Sequence, residues 1–209
     1  MKIKHQIYFL GLLIFLISAC QESEIPNRTN KTYISEDLKN EFVFEKGSYW
    51  IYENNNGNID SVILYDLDSG FTSICPDNGC PQREYIKMKF QNMTRKEVFN
   101  HYFVEKVIKY NGGGNWGQDG QPIFVLNIEI GESSGGLIFI SHYDSLEVME
   151  DVFYNVDIMG IKAKEQFQDE FDFNTDLFFS PHVGVIRKII YDTINGTEIW
   201  NIKRYEIKK

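Results

Sequence analysis

The feature that most constrains the fold is an alternation of apolar and polar residues with period two, cut at short intervals by turn-forming clusters. Phe124, Leu126, Ile128 and Ile130 fall on one face of an extended segment, with Val125, Asn127 and Glu129 on the other. Ile86, Met88 and Phe90 alternate with Lys87 and Lys89, and Ile161, Ala163 and Phe167 alternate with Lys162, Lys164 and Gln166. Successive side chains of a strand point to opposite faces, so this period is the mark of half-buried strands. Further strands are expected over 48–54, 59–67, 98–110, 136–143, 152–159, 184–193 and 197–207. Asn54-Asn55-Asn56-Gly57, Asp68-Ser69-Gly70, Gly112-Gly113-Gly114 and Asn195-Gly196 supply turn chemistry between them, the last as a two-residue hairpin. No stretch sustains a helical period, which argues against parallel βαβ units. Roughly ten short strands imply one all-β antiparallel domain. The expected form is a strongly curved sheet or barrel, lipocalin-like or half-barrel, with a β-sandwich as the alternative.

The first twenty residues follow a different logic. Lys2 and Lys4 precede an apolar run from Ile7 to Ile17, then Ser18, Ala19 and Cys20. The run is too short to cross the roughly 30 Å of a bilayer's hydrocarbon as a helix, and it fits the h-region of an export signal. Ile17-Ser18-Ala19-Cys20 resembles the lipobox of bacterial lipoproteins. That resemblance implies cleavage before Cys20, which then carries the acyl chains, palmitate among them. Several chains on one residue anchor stably where one holds only marginally. Gln21-Glu22-Ser23-Glu24 lacks the aspartate that favours inner-membrane retention and is similar to the surface-export signal of Bacteroidota lipoproteins. The resemblance therefore implies an outer-membrane lipoprotein, facing the surface or the periplasm. Residues 1–19 read as signal peptide, 20–34 as lipidated cysteine and flexible tether, and 35–209 as the β domain. Ser35-Glu36-Asp37-Leu38 has the form of a capped helical turn at its start.

Phe44-Glu45-Lys46-Gly47-Ser48-Tyr49-Trp50-Ile51-Tyr52 and Phe178-Phe179-Ser180-Pro181-His182-Val183-Gly184-Val185-Ile186-Arg187 resemble a pattern recurrent in Bacteroidota lipoproteins of uncharacterised role. The likeness implies a secreted β-rich domain and brings no catalytic residues with it.

Composition narrows function by exclusion. The formal charge is −9, with 30 acidic residues against 21 Lys and Arg. No basic stripe is available to neutralise phosphates, so nucleic acid is not an expected partner. Of the three cysteines, lipidation takes Cys20. Cys75 and Cys80 flank Pro76-Asp77-Asn78-Gly79, a turn that brings two thiols within disulfide reach. A bridge is expected there in an oxidising compartment. A metal site would need a second Cys/His pair, and a redox motif would need Cys-x-x-Cys.

Gly131-Glu132-Ser133-Ser134-Gly135-Gly136 matches the Gly-x-Ser-x-Gly nucleophile elbow and is similar to the serine box of carboxylesterases. With His182 downstream it makes a serine hydrolase the second functional reading. The elbow requires a helix after the serine, however, and Leu137 to His142 reads as a strand. Ser133 and His182 are therefore treated as decoys in a Gly/Ser hairpin and a loop. Asp172, Asn174 and Asp176 place oxygens at alternate positions, as a calcium loop begins, but Leu177 and Val183 stand where glycine and glutamate are needed. A solvated acidic loop is the expected reading, and no cofactor or metal is assigned. Trp116, in a glycine-rich loop, is a candidate ligand contact. Asp60-Ser61-Val62, Asp144-Ser145-Leu146 and Asp192-Thr193-Ile194 are similar to the acceptor of Bacteroidota O-glycosylation, at Ser61, Ser145 and Thr193.

These features together give a lipid-anchored, non-catalytic binding or envelope-associated module. Its partners are membrane lipid through Cys20 and an envelope protein, a glycan or an apolar ligand. A lipocalin-like carrier of an apolar ligand is the third reading, and it requires a deep apolar pocket.

Overall fold

The computed structural model describes residues 31–73, 81–104, 107–111, 121–125, 133–134, 137–161, 174–192 and 196–209. Cys20, Cys75, Cys80, Trp116, Asp172, Thr193 and the glycine triplet 112–114 lie outside them, as do 126–130 and 162–167.

The chain is all-β, with one short helix, α1 (Glu36–Phe42). A two-residue strand β1 (Lys31–Thr32) comes first, followed by β2 (Tyr49–Asn54), β3 (Ile59–Ser73), β4 (Gln82–Asn92), β5 (Val98–Val104), β6 (Val107–Asn111) and β7 (Gln121–Val125). The second half supplies β8 (Ser133–Ser134), β9 (Leu137–Val148), β10 (Asp151–Ile161), β11 (Asn174–Ser180), β12 (Gly184–Asp192) and β13 (Gly196–Glu206). All belong to one sheet ordered β7-β6-β5-β4-β3-β2-β13-β12-β11-β10-β9-β8, with β1 pairing β4. Two antiparallel meanders, β2 to β7 and β8 to β13, are therefore zipped together where β13 lies beside β2. The sheet curls into a half-barrel.

The curl has identifiable causes. Register shifts interrupt four of the pairings in the two meanders (β3–β4, β6–β7, β9–β10 and β11–β12) and a fifth at the β2–β13 seam. Each is a bulge-like irregularity that bends a strand and increases its twist. Two side chains then cross the concave side as chords. Trp50 Nε1–H donates to Val183 O at 2.7 Å, and Tyr52 O–H donates to Val185 O at 2.8 Å, both reaching over β13.

Helix α1 fills the hollow. Leu38 is fully buried, Phe42 meets the Phe179 ring edge-on at 6.0 Å, and Lys39 pairs with Glu84 at 2.9 Å. Phe179 is on β11 and Glu84 on β4, with four strands between them in the sheet, so the helix spans the concavity. Phe44 and Trp50 continue the plug, with centroids 5.4 Å apart. Burial of side chains such as Leu38, Leu64, Phe103 and Ile186 is worth about 1.5–3 kcal/mol each.

Several sequence expectations are corrected by this geometry. Ser35 sits at the N-cap position but makes no side-chain cap, and the helix start is closed by Lys39 N–H donating to Ser35 O. Within the stretch expected as tether, Lys31 and Thr32 pair with β4 and Ile34 is buried. Asp68-Ser69-Gly70 is not a turn. β3 runs through it, and the Tyr85 ring opposite lies 3.3 Å from where a Gly70 side chain would begin, so the glycine makes room for that ring. The single strand expected over 98–110 folds back on itself as β5 and β6, with Val104 opposite Val107. Asp192 pairs with Gly196 (φ +86°), so Gly196 opens β13 and the β12–β13 connection has three residues, not two.

Candidate functional site

One face of the strands around the β2–β13 seam changes character along its length. In β2 the inward positions run Trp50, Tyr52, Asn54, and in β3 they run Leu64, Val62, Asp60. In β13 they run Ile202, Trp200, Glu198, and in β12 Ile186, Lys188, Ile190. Residues directly paired across strands share a face, so the register sets Lys188, Trp200 and Asn54 in one row and Ile202, Tyr52 and Asp60 in the next. The end that carries α1 is apolar. The opposite end, where the β2–β3 and β4–β5 turns lie, is polar and only half-buried at Lys188, Trp200 and Glu198.

The polar end is organised by side chains that bind backbone. Asn54 is buried. Its Oδ1 accepts Asn56 N–H at 3.0 Å and Asn58 N–H at 2.8 Å, and its Nδ2–H donates to Glu198 at 2.7 Å. Asn-Gly turn chemistry and Gly57 at φ +79° explain why the chain reverses there. Asp60 is also buried. Its Oδ1 accepts Ser61 N–H at 2.9 Å, and its Oδ2 accepts Asn92 Nδ2–H at 2.9 Å and Arg95 Nη2 at 3.4 Å. Asn92 Oδ1 in turn accepts Thr94 and Arg95 N–H at 3.0 and 2.7 Å, fixing the β4–β5 turn. Arg95 reaches Glu97 as well, at 3.4 Å. Buried polar atoms that are satisfied in this way cost little.

Three ionisable groups on this face are displaced from their ordinary values. Burial pushes the Tyr52 hydroxyl up, helped by the Asp60 charge. Burial pushes the His101 imidazole down to about 3, beside Phe90 at 4.6 Å and Phe99 at 5.7 Å. Lys188 is lowered first by burial and next by Arg95, against the opposing pull of Asp60, Glu198 and Glu97. Its ammonium lies 5.5 Å from the Trp200 ring centroid.

The residues singled out from sequence are dispersed. Ser133 is in β8, opposite Ile138 of β9, so an antiparallel hairpin stands where an elbow needs strand, turn and helix. His182 is in the β11–β12 turn at φ +66°, its Nδ1 3.1 Å from Asn40 O and 2.8 Å from Lys209 Nζ. Its backbone N–H donates to Glu41 O, so it docks the end of α1. Glu41 is raised, chiefly by burial. His142 pairs with Asp157 at 2.7 Å across β9–β10, with Asp144 at 3.8 Å.

The acidic loop expected at 172–176 is corrected from Asn174 onward, since β11 occupies it. Thr175, Leu177 and Phe179 are buried, and Asp176 accepts the Tyr191 hydroxyl at 2.7 Å. A strand cannot wrap an ion as a calcium loop does, and among the described residues no group of three or more His, Cys, Asp or Glu is placed to hold a metal. Ser61 is half-buried inside the sheet, with its carbonyl accepting Met93 N–H, whereas Ser145 is exposed on β9. Among the aromatics, Trp50, Phe103 and Phe153 are core, while Tyr143 and Tyr154 face outward.

Sequence reasoning places Asn54 only in a turn and Asp60 only in an acceptor motif, and does not single out Lys188 or Asn92. The available signal was a lysine among isoleucines, at a position alternating with Ile186 and Ile190.

No protein-family model matches the chain, and no curated protein matches it. Two solved structures are similar to it at low identity. One, from Bacteroides fragilis, is described as an exported protein with a YmcC-like fold. It shares 9% identity at a TM-score of 0.46, over 79% of this chain and 98% of that one. The other, from Parabacteroides distasonis, is described as a lipoprotein and shares 11% identity at a TM-score of 0.36, over 78% of this chain and 96% of that one.

Proposed function

We propose that the chain is a lipid-anchored, non-catalytic lipoprotein of the bacterial outer membrane whose half-barrel is a binding module, with its site at the polar end of the concave face. The anchor rests on the lipobox Ile17-Ser18-Ala19-Cys20. The binding role is carried by one observation, the switch from apolar to polar on a single face of adjacent strands, which leaves Lys188 and Trp200 half-buried instead of sealed in the core. Cells fed labelled palmitate should label the wild-type chain and not Cys20→Ala; an unlabelled wild type would remove the anchor.

The carrier of an apolar ligand is less well supported. The apolar part of the concavity is occupied by the protein's own Leu38, Phe42, Phe44 and Trp50. The hydrolase reading lacks a helix after Ser133, and the partners of His182 are Asn40 and Lys209. Fluorophosphonate labelling abolished by Ser133→Ala would restore it. Of the acceptor serines described, Ser145 is the better placed for a glycan, being exposed. The Cys75–Cys80 bridge is open to a direct check, a 2 Da mass increase on reduction.

A further inference from the structure

Lys188 is in an unusual position for a cation. It occupies an inward place on β12 between Ile186 and Ile190, with Leu177 opposite it on one neighbouring strand and Trp200 on the other. Among the described residues, no carboxylate lies within ion-pair distance of its ammonium and no acceptor within hydrogen-bond distance. The two carboxylates facing it from the same hollow are already engaged, Asp60 by Asn92, Ser61 N–H and Arg95, and Glu198 by Asn54. A half-buried ammonium with a ring beside it and no acceptor is costly. The β4–β5 turn brings a second cation to the same end, Arg95, whose guanidinium is 3.4 Å from Asp60 and which is the charge that most opposes the Lys188 ammonium. Arg95 is itself loosely held: its contacts to Asp60 and Glu97 are both 3.4 Å long, and its side chain is 56% exposed.

Building on the binding role above, we propose that Lys188 and Arg95 together take the carboxylate of a small organic acid whose ring body packs beside Trp200. One carboxylate between the two cations relieves their mutual repulsion and gives the lysine the acceptor it lacks. Guanidinium presents a planar fork that matches a carboxylate, and the ammonium adds a point charge. A monoanion suits the site better than a phosphate dianion, because Asp60 and Glu198 lie at the same end and oppose a second negative charge. The indole supplies a flat apolar surface for either an aromatic ring or the apolar face of a sugar.

The test is calorimetric titration of the full chain in detergent, with empty micelles as blank, using matched pairs of probes: benzoate against benzamide, and glucuronate against glucose. Inorganic phosphate is the third arm. At least one carboxylate should bind tenfold or more tightly than its uncharged twin, and whichever pair responds identifies the ring as aromatic or sugar. Lys188→Met should cost that carboxylate tenfold or more. Arg95→Gln, whose side chain is largely exposed and whose loss leaves Asp60 bonded to Asn92 and Ser61 N–H, should cost it threefold or more, with its urea midpoint measured alongside. Twins that bind equally, with binding lost in Trp200→Ala, would overturn the charge assignment and leave the binding module standing. Phosphate binding more tightly than both acids would also overturn it. Absence of binding by every probe would overturn this inference, whereas the binding role itself would fall only if Trp200 and Lys188 proved to be core by the stability measurements.

Discussion

The two ends of the concave face are made from the same strands and pleat, yet they are built to different ends. At one end Trp50, Leu64, Ile186 and Ile202 meet Leu38, Phe42 and Phe44, and each of these side chains is at most 4% exposed. Two residues further along β12 and β13, and four along β2 and β3, Lys188, Trp200, Asn54 and Asp60 stand at positions of the same parity. The first end is arranged for stability, with rings packed edge to face and polar atoms satisfied by backbone. Among the described residues, the second holds an ammonium, Lys188, that no carboxylate pairs and that lies beside the Trp200 ring. Where local rules of folding are broken without a structural gain, function is the usual reason. This comparison separates residues that hold the fold from residues the fold holds for another purpose.

The same substitution at the two ends should break the comparison most visibly. Trp50→Ala opens a cavity and leaves Val183 O without its donor, and should cost about 3–5 kcal/mol in urea unfolding. Trp200→Ala, at a half-buried position, should cost about 1 kcal/mol. Equal losses would mean that both ends are core.

Acid should find His101 between these two extremes. Its folded-state pKa is depressed from 6.5 to about 3 by burial. Above pH 6.5 the imidazole is neutral in both states and contributes no pH dependence. Below it the unfolded chain takes up the proton first, so this group's share of stability falls from pH 6.5 down to about 3, at no more than about 1.4 kcal/mol per pH unit. His101→Phe should flatten that part of the stability profile, measured by urea midpoints at successive pH values. An unchanged slope would place the acid sensitivity elsewhere.

A smaller effect is expected from the network that shapes the polar end. Asn92→Ala strips donors and acceptors from Asp60, Thr94 and Arg95 and should cost about 1–3 kcal/mol. It should also loosen the β4–β5 turn, read as faster amide exchange at Thr94 and Arg95.

Much of the fold was legible because a half-buried strand writes its geometry into the sequence. Ile86, Met88 and Phe90 alternate with Lys87 and Lys89, and they are core. Where both faces of a strand are covered, the signal vanishes. Leu177, Phe178 and Phe179 form a continuous apolar run because Arg187 lies over the Phe178 ring at 5.6 Å on one side while Leu177 and Phe179 are buried on the other. The acidic residues around them then suggested a loop. The β5–β6 reversal was missed for a related reason: Val104-Glu105-Lys106-Val107 lacks the glycine, asparagine or proline that marks a turn. The candidate site was the least legible part. Val185, Ile186, Arg187, Lys188, Ile189 and Ile190 fit either parity, so only the register with β13 reveals that Lys188, and not Arg187, faces the hollow. Asp60 and Asn92 sit thirty-two positions apart and meet only through the β3–β4 pairing.

The most direct test of a lysine held for a ligand, not for the fold, is the ligand-free stability of Lys188→Met measured by urea unfolding against wild type. Methionine keeps most of the stem's volume and removes a desolvated charge. The variant should be as stable as wild type or more stable by about 1 kcal/mol. A loss of about 2 kcal/mol or more would mean that the ammonium has a structural partner, and would contradict the account of the polar end as a binding site.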